Sequence, residues 1–307
     1  MSPRALPLLL SCLLPAIASS QPADPRIVRA GESELRIEVA GDVDAARAHL
    51  LQDWAEGAAR SLLTVSDRFP LASSRVRIDQ VASRDRSPVP WGQTSRRDGV
   101  SVLLFVRRDA GLQALRDDWT AEHELAHLMH PYLGREGRWM AEGLASYYQN
   151  VLRARSGRMD GDQAWRRLDA GFERGRRATT GTPLSSLHGR GATMRIYWAG
   201  AAYWLQADLA LRARGSSLDA VLDGYARCCL RADSELAPLA FARALDRIDG
   251  HDIFVGLYRQ YAAASAFPDL AAAYRTLGLS GGGDMLRFSR GDAPARLRAA
   301  IMHKAPR

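Results

Sequence analysis

Strand-like and helical spacings alternate over the first part of the chain, and from Arg138 onward the spacing is almost entirely helical. Alternation in Ile27-Val-Arg-Ala30 and Leu35-Arg-Ile-Glu-Val39, split by Gly31-Glu32-Ser33, predicts a β-hairpin over 26–43. Residues 44–67 then place Ala46, Leu50, Trp54, Ala58, Leu62 and Val65 at helical intervals. A short strand follows over 76–81, ended by polar residues 83–87, and Pro88-Val-Pro-Trp-Gly92 reads as a loop. Residues 100–106 form the most strand-like run in the sequence. Beyond it, helices are expected near 138–154, 162–176, 194–214, 218–230, 238–247, 251–264 and 268–276. Gly281-Gly-Gly283 marks a flexible turn, and 292–302 fits a last short helix.

Between these two regions lies Trp119-Thr-Ala-Glu-His-Glu-Leu-Ala-His-Leu-Met-His130. On a helix, residues four apart share one face, with Cβ atoms about 5–6 Å apart. His123 and His127 can therefore reach one metal ion, with Zn–N bonds of about 2.0–2.1 Å. Glu124 sits beside them and can act on a zinc-activated water without being a ligand. Leu125, Ala126, Leu128 and Met129 predict a buried helix, and buried paired histidines want a partner.

A catalytic zinc usually takes three protein ligands and leaves a fourth position open. After His127, Pro131-Tyr-Leu-Gly-Arg-Glu-Gly137 stops the helix, and a second helix begins near Arg138. Helix, turn, helix lets Glu142 project back toward His123 and His127. Its neighbours Met140, Ala141, Gly143, Leu144 and Ala145 are uncharged, which favours burial, and a buried carboxylate needs a cation.

Trp139-x-x-Glu142-Gly143-x-Ala145-x-Tyr147 resembles the second zinc motif of the gluzincin metallopeptidases, the thermolysin-like clan. Within that clan the chain is similar to the glycyl aminopeptidase family. The likeness continues at Tyr197-Trp-Ala-Gly200, 205–212, 217–222 and 250–279. It implies an α+β fold: a thermolysin-like zincin core with a small β-sheet lobe, a larger all-helical lobe and zinc between them. It also nominates Tyr197 as support for the oxyanion. Many members carry a long N-terminal β domain and a C-terminal PDZ domain, for which this chain has no room; it reads as the catalytic core. Two departures bear on specificity. Aminopeptidases of this kind grip the substrate amine with an acid on a Gly-x-x-Glu-type edge strand. Its equivalent, Trp91-Gly-Gln-Thr94, has no such acid, and the lysine expected two positions after the tyrosine is Ala199.

Residues 1–20 read as a secretory signal: Arg4, an apolar run over 5–17, then small residues for cleavage. The run is shorter than the roughly 20 residues of a membrane span, so export to the periplasm or the exterior is expected, without stable membrane insertion. Domain boundaries follow as 1–20 signal, 21–134 α+β lobe with the active-site helix, 135–280 helical lobe and 281–307 tail. The 307 residues, 47% hydrophobic and 25% charged, suffice for a large core. A net charge of +8 invites a nucleic-acid reading, but Lys304 is the only lysine and the arginines are spread along the sequence. No nucleic-acid partner is expected. Cys12 leaves with the signal, and the adjacent Cys228 and Cys229 read as packing residues, open to oxidation.

The sequence thus predicts an exported metallopeptidase with one zinc on His123, His127 and Glu142, Glu124 as general base, Tyr197 as a second catalytic group, and a peptide or protein substrate. An aminopeptidase of the same clan and a non-catalytic module on the same fold are the alternatives.

Overall fold

The computed structural model describes residues 23–97 and 99–303; the secretory segment expected over 1–20 lies outside them. Strands β1 (Arg26–Ala30) and β2 (Ser33–Ala40) form the expected antiparallel hairpin, with Gly31 in the left-handed region at φ 56°. Helix α1 (Ala45–Ser61) starts where the Asp44 carboxylate accepts the Arg47 N–H at 2.9 Å. It returns the chain so that β3 (Ser73–Val81) lies parallel to β2. Next come β4 (Trp91–Ser95) and β5 (Ser101–Arg107), antiparallel to each other, with β5 parallel to β3. The mixed sheet has the order β1-β2-β3-β5-β4, so β4 is an edge. Trp91 and Gly92, expected in a loop from their composition, open this edge strand instead.

Register explains what the edge strand faces. Ile37 lies opposite Val76, Val76 opposite Val102, and Val102 opposite Thr94. The next row on the same face runs Val39, Ile78, Leu104, Gly92. The valines, isoleucines and Leu104 of these rows are buried. Because side chains alternate along a strand, Gly92 and Thr94 face the same core.

Helix α2 (Leu112–Asp117) is separate from the motif helix. Asp118 breaks the path and accepts the Thr120 N–H at 2.7 Å, opening α3 (Thr120–Ala126), which tightens into a 3₁₀ turn over His127–Met129. Then follow α4 (Arg138–Arg155), α5 (Gly161–Arg177), α6 (Thr193–Arg212), α7 (Leu218–Cys228), α8 (Pro238–Asp249), α9 (Phe254–Ala263) and α10 (Ala271–Leu277). The glycines at 281–283 lie in a turn, as expected. They join the short strands β6 (Leu279–Ser280) and β7 (Arg287–Phe288), and the Gly283 N–H donates to Asp169 at 2.6 Å. Helix α11 (Asp292–Met302) closes the described chain. The architecture is α+β, as expected.

Two sequence expectations need correction or narrowing. Cys228 and Cys229 are not packing residues: both are exposed at the end of α7, and their sulfurs are joined to each other. Among the described residues no helix is long and apolar enough to cross a membrane.

Candidate metal centre

All seven residues of α3 are buried, between the sheet on one side and α4 on the other. The helix therefore holds His123 and Glu124 in fixed positions. His123 Nδ1 lies 2.8 Å from Oε1 of Gln149 on α4. An amide oxygen only accepts, so this network puts the ring proton on Nδ1 and turns Nε2 inward. The second histidine is held by a relay. His130 Nδ1 lies 2.6 Å from the Pro131 carbonyl, which again only accepts, so His130 Nε2 is left as an acceptor. His127 Nδ1 donates to it at 2.9 Å. Both motif histidines thus direct Nε2 at a common point.

That point is Glu142. Its Oε2 lies 3.3 Å from His123 Nε2 and 3.7 Å from His127 Nε2. One ligand atom from each of the three residues falls within 4.8 Å of the others. Two imidazole nitrogens and one carboxylate oxygen, mostly buried and converging on one point, are the donor set of a three-ligand zinc site. The residues therefore fit zinc.

The groups of the cluster shift one another: burial lowers His123, but the Glu142 hydrogen bond and the Glu124 charge outweigh it and raise the group above the usual histidine range. Burial pushes the Glu142 carboxyl up, but the hydrogen bond with His123, the facing imidazoles and the nearby Tyr197 hydroxyl outweigh it and hold the group at about 2. Burial keeps His127 well below the usual histidine range, hence neutral and able to donate a lone pair. His130 is lowered to about 4, by burial first and by the nearby Arg96 second. Glu124 behaves differently. Burial raises it to about 7, with the Glu142 charge adding and His123 and Thr94 opposing.

Edge strand β4 lies directly against Glu124. A Cβ on Gly92 would come within 2.7 Å of Glu124 Cγ and 2.6 Å of Thr120 Cγ2, so only glycine lets strand and helix approach this closely. The Thr94 hydroxyl sits 2.7 Å from the Glu124 carbonyl oxygen and 3.1 Å from its Oε2. Just beyond the strand, Arg96 donates to the carbonyls of His127, at 2.9 Å, and His130, tying the strand to the end of the motif helix.

Tyr197, on α6, stacks on the His123 ring with centroids 5.4 Å apart and planes 21° from parallel. Its hydroxyl lies near the Glu142 carboxylate, and burial with that neighbouring carboxylate raises it far above the usual phenol range. It stays a donor. All five sequence-predicted residues, His123, Glu124, His127, Glu142 and Tyr197, thus meet in one place. His188 and His251 are exposed, and His251 pairs with Asp249 at 3.0 Å.

Sequence reasoning missed Gln149, Thr94 and Arg96, and placed His130 only as a supporting or surface group. Gln149 carried a signal: it follows Glu142 by two helical turns on α4 and so shares its face. Thr94 and Arg96 carried none, because the strand's register decides where they point.

No family profile and no curated protein matches the chain by sequence. Solved structures do match it in shape. An aminopeptidase N family protein from Idiomarina loihiensis superposes with a TM-score of 0.61 at 15% identity, covering 83% of this chain and 49% of its own. A two-domain M1 zinc metallopeptidase variant bound to L-arginine gives 0.53 at 14% identity, over 80% of this chain and 53% of its own. A variant of the M1 zinc metallopeptidase from Deinococcus radiodurans, bound to a Tyr-Ser-Ala substrate, gives 0.50 at 15% identity over 80% and 53%. The chain spans about half the length of these structures. At such identities the likeness is one of fold: this chain folds as part of the M1 zinc metallopeptidases does.

Proposed function

We propose that the chain is an exported, zinc-dependent metallopeptidase of the gluzincin type that hydrolyses peptide bonds. The convergence of His123 Nε2, His127 Nε2 and the Glu142 carboxylate beside Glu124 carries this reading. His123, His127 and Glu142 would hold one zinc, in the thermolysin-like arrangement. When bound, zinc supplies Lewis acidity toward the scissile carbonyl and lowers the pKa of water toward about 7.

The chain's own residues supply the rest. Glu124 is the general base: it takes a proton from the attacking water and passes it to the leaving amine. Thr94 and the close passage of Gly92 fix where its carboxylate can lie. The Tyr197 hydroxyl donates to the oxygen that becomes negative as the carbonyl is attacked. Stacking on the His123 ring, beside the Glu142 carboxylate, holds it at the site. Gln149 and His130 hold the two imidazoles in the tautomer that leaves Nε2 available.

One purification series tests the reading. Glu124→Gln keeps volume and a polar tip but removes the proton acceptor. Peptide hydrolysis should fall about 10³–10⁴-fold, toward the top of the range for general acid–base groups, with zinc content by mass spectrometry unchanged. His127→Ala should lose zinc and activity together. A Glu124→Gln protein as active as the unmodified chain would overturn the proposal and favour a binding module on the same fold.

A further inference from the structure

Beside the metal centre a cavity of about 480 Å³ opens between α4, α5 and α6. Part of its wall belongs to the site itself. Tyr197 lines it, as does Trp119, whose ring meets the His123 ring edge-on at 5.2 Å. So does Gln149, which holds His123 Nδ1. A substrate bond placed at the metal centre therefore has its neighbouring atoms at the mouth of this cavity.

The rest of the wall is cationic. Arg153 comes from α4, while Arg167 and Arg174 lie two turns apart on one face of α5, and no acidic residue lines the cavity. Arg153 is 1% exposed, and its guanidinium donates to the Asp117 carbonyl at 2.8 Å. Its Nε and Nη1 have no hydrogen-bond partner. The nearest acids lie outside the cavity lining and have other partners, with Glu122 Oε2 alone left without one. Glu122 pairs with Arg158 at 2.7 Å, and Asp118 accepts from Ser87 at 3.0 Å and from the Thr120 N–H at 2.7 Å. Arg174 lies over the Trp198 ring, 4.9 Å from its centroid, and forms no ion pair or hydrogen bond among the described residues. Arg167 forms no ion pair among the described residues. Burial lowers both Arg153 and Arg174; at Arg153 the Glu122 charge opposes it, and the Arg167 charge adds to the lowering in both cases.

Like charges gathered around a cavity without an acid repel one another, and a buried guanidinium with unmet donors calls for an acceptor. The planar fork of arginine matches a carboxylate with two parallel hydrogen bonds. A concave cationic wall also draws anions inward from solution.

We propose that this cavity is a substrate subsite for a carboxylate, so that the preferred substrates are peptides bearing a negative charge close to the bond that is cut. The charge can be the free C-terminus of a short peptide or the side chain of an aspartate or glutamate, since both present the same group. The inference rests on the peptidase reading above, because the walls shared with the metal centre are what bring the cavity next to that bond.

The test uses two matched pairs of probes with the zinc-loaded full chain. One is an alanine tetrapeptide with a free C-terminus against its C-terminal amide. The other is a set of amidated tetrapeptides with glutamate against glutamine at the third or fourth position. At least one charged probe should exceed its neutral twin about 10-fold or more in kcat/KM, mainly through KM, and the pair that does so identifies the source of the charge. In the Arg167→Gln, Arg174→Gln double variant, whose altered side chains are exposed, that ratio should fall toward one, with the melting temperature confirming the fold. Binding of the same probes to the Glu124→Gln protein, measured by calorimetry, separates the two levels of inference. Cleavage of all probes with no preference for charge would overturn the subsite and leave the peptidase standing. Tighter binding of charged probes that are never cleaved would keep the subsite and overturn the peptidase. A preference that survives the double variant, or no preference in either assay, overturns the subsite.

Discussion

Gly143 of α4 and Gly200 of α6 meet backbone to backbone. A Cβ on Gly200 would lie 1.9 Å from the Trp139 carbonyl oxygen and 2.7 Å from the Gly143 Cα, and one on Gly143 would lie 2.3 Å from the Gly200 carbonyl carbon. Only two glycines allow the helices to cross this closely. The contact has a chemical consequence, because Glu142 precedes one glycine and Tyr197 lies almost a turn before the other. The crossing is what brings the Tyr197 hydroxyl near Glu142.

Gly200→Ala should therefore act on stability and chemistry together. Overpacking of this kind typically destabilises by about 1–3 kcal/mol, and forcing α6 away should withdraw Tyr197 from Glu142. Denaturant unfolding should show a lower midpoint at unchanged slope. Turnover should fall even though every proposed zinc ligand is intact. A variant with the original midpoint would contradict the contact.

The relay behind the histidines gives a second prediction. Removing a group that orients a metal-binding histidine typically weakens metal affinity by about 10–100-fold. Gln149→Leu and His130→Phe should each do so, measured by competition with a chelator of known affinity. His130→Phe should also lower stability, since it leaves the buried His127 Nδ1–H unmet at about 1–3 kcal/mol. If zinc affinity were unchanged in both, the histidines would be oriented by something else.

These two relationships show what the sequence could and could not disclose. The cluster of His123, His127 and Glu142 was legible because helix geometry is local: four-residue spacing fixes His123 against His127, and a short turn brings Glu142 back. The eight helices after Arg138 were legible for the same reason, since one dominant period repeats with few interruptions. The edge strand was not. Pro88-Val-Pro-Trp-Gly92 looks like a loop by composition, and only the pairing of Gly92 with Leu104 and Thr94 with Val102 shows that those two residues face α3. Likewise Arg153, Arg167 and Arg174 belong to a scatter of arginines in sequence, and become a cluster only when α4 and α5 are packed side by side. The cysteine pair misled because adjacency says nothing of exposure.

Thr94 supplies the third prediction. Thr94→Val keeps the shape and the β-branch but deletes the hydroxyl 3.1 Å from Glu124 Oε2. A hydrogen bond to a charged group contributes about 1.5–3 kcal/mol, so turnover should fall by roughly 10–100-fold if that bond positions the base in the transition state. Zinc content should stay the same. Gly92→Ala should be worse, because its methyl would press on Glu124 Cγ and on Thr120 at once. Full turnover in Thr94→Val would show that the base needs no such support.

The last prediction concerns which end of a peptide the site requires. Strand β4 is the sheet edge beside the metal centre, with Gly92 and Thr94 turned toward Glu124. An enzyme that removes single residues from a free N-terminus needs a negative group near that point to hold the substrate's ammonium. Here the strand reads Trp91-Gly-Gln-Thr-Ser95, without an acid, and it is followed by Arg96, a cation that donates into the end of the motif helix. An ammonium placed along this strand would gain no counter-charge from the strand's own residues and would feel a nearby guanidinium, which disfavours it. A peptide continuing past the site in the N-terminal direction meets no such obstacle, and Trp91, 53% exposed, offers it an apolar surface. N-acetylated peptides should therefore be cleaved at least as well as the same peptides with free amines, and the bond cut should lie inside the chain. Matched pairs compared by kcat/KM, with products identified by mass spectrometry, check this. A preference of more than about 10-fold for the free amine, equivalent to about 1.4 kcal/mol, would mean that an acid elsewhere grips the N-terminus and that the chain is an aminopeptidase.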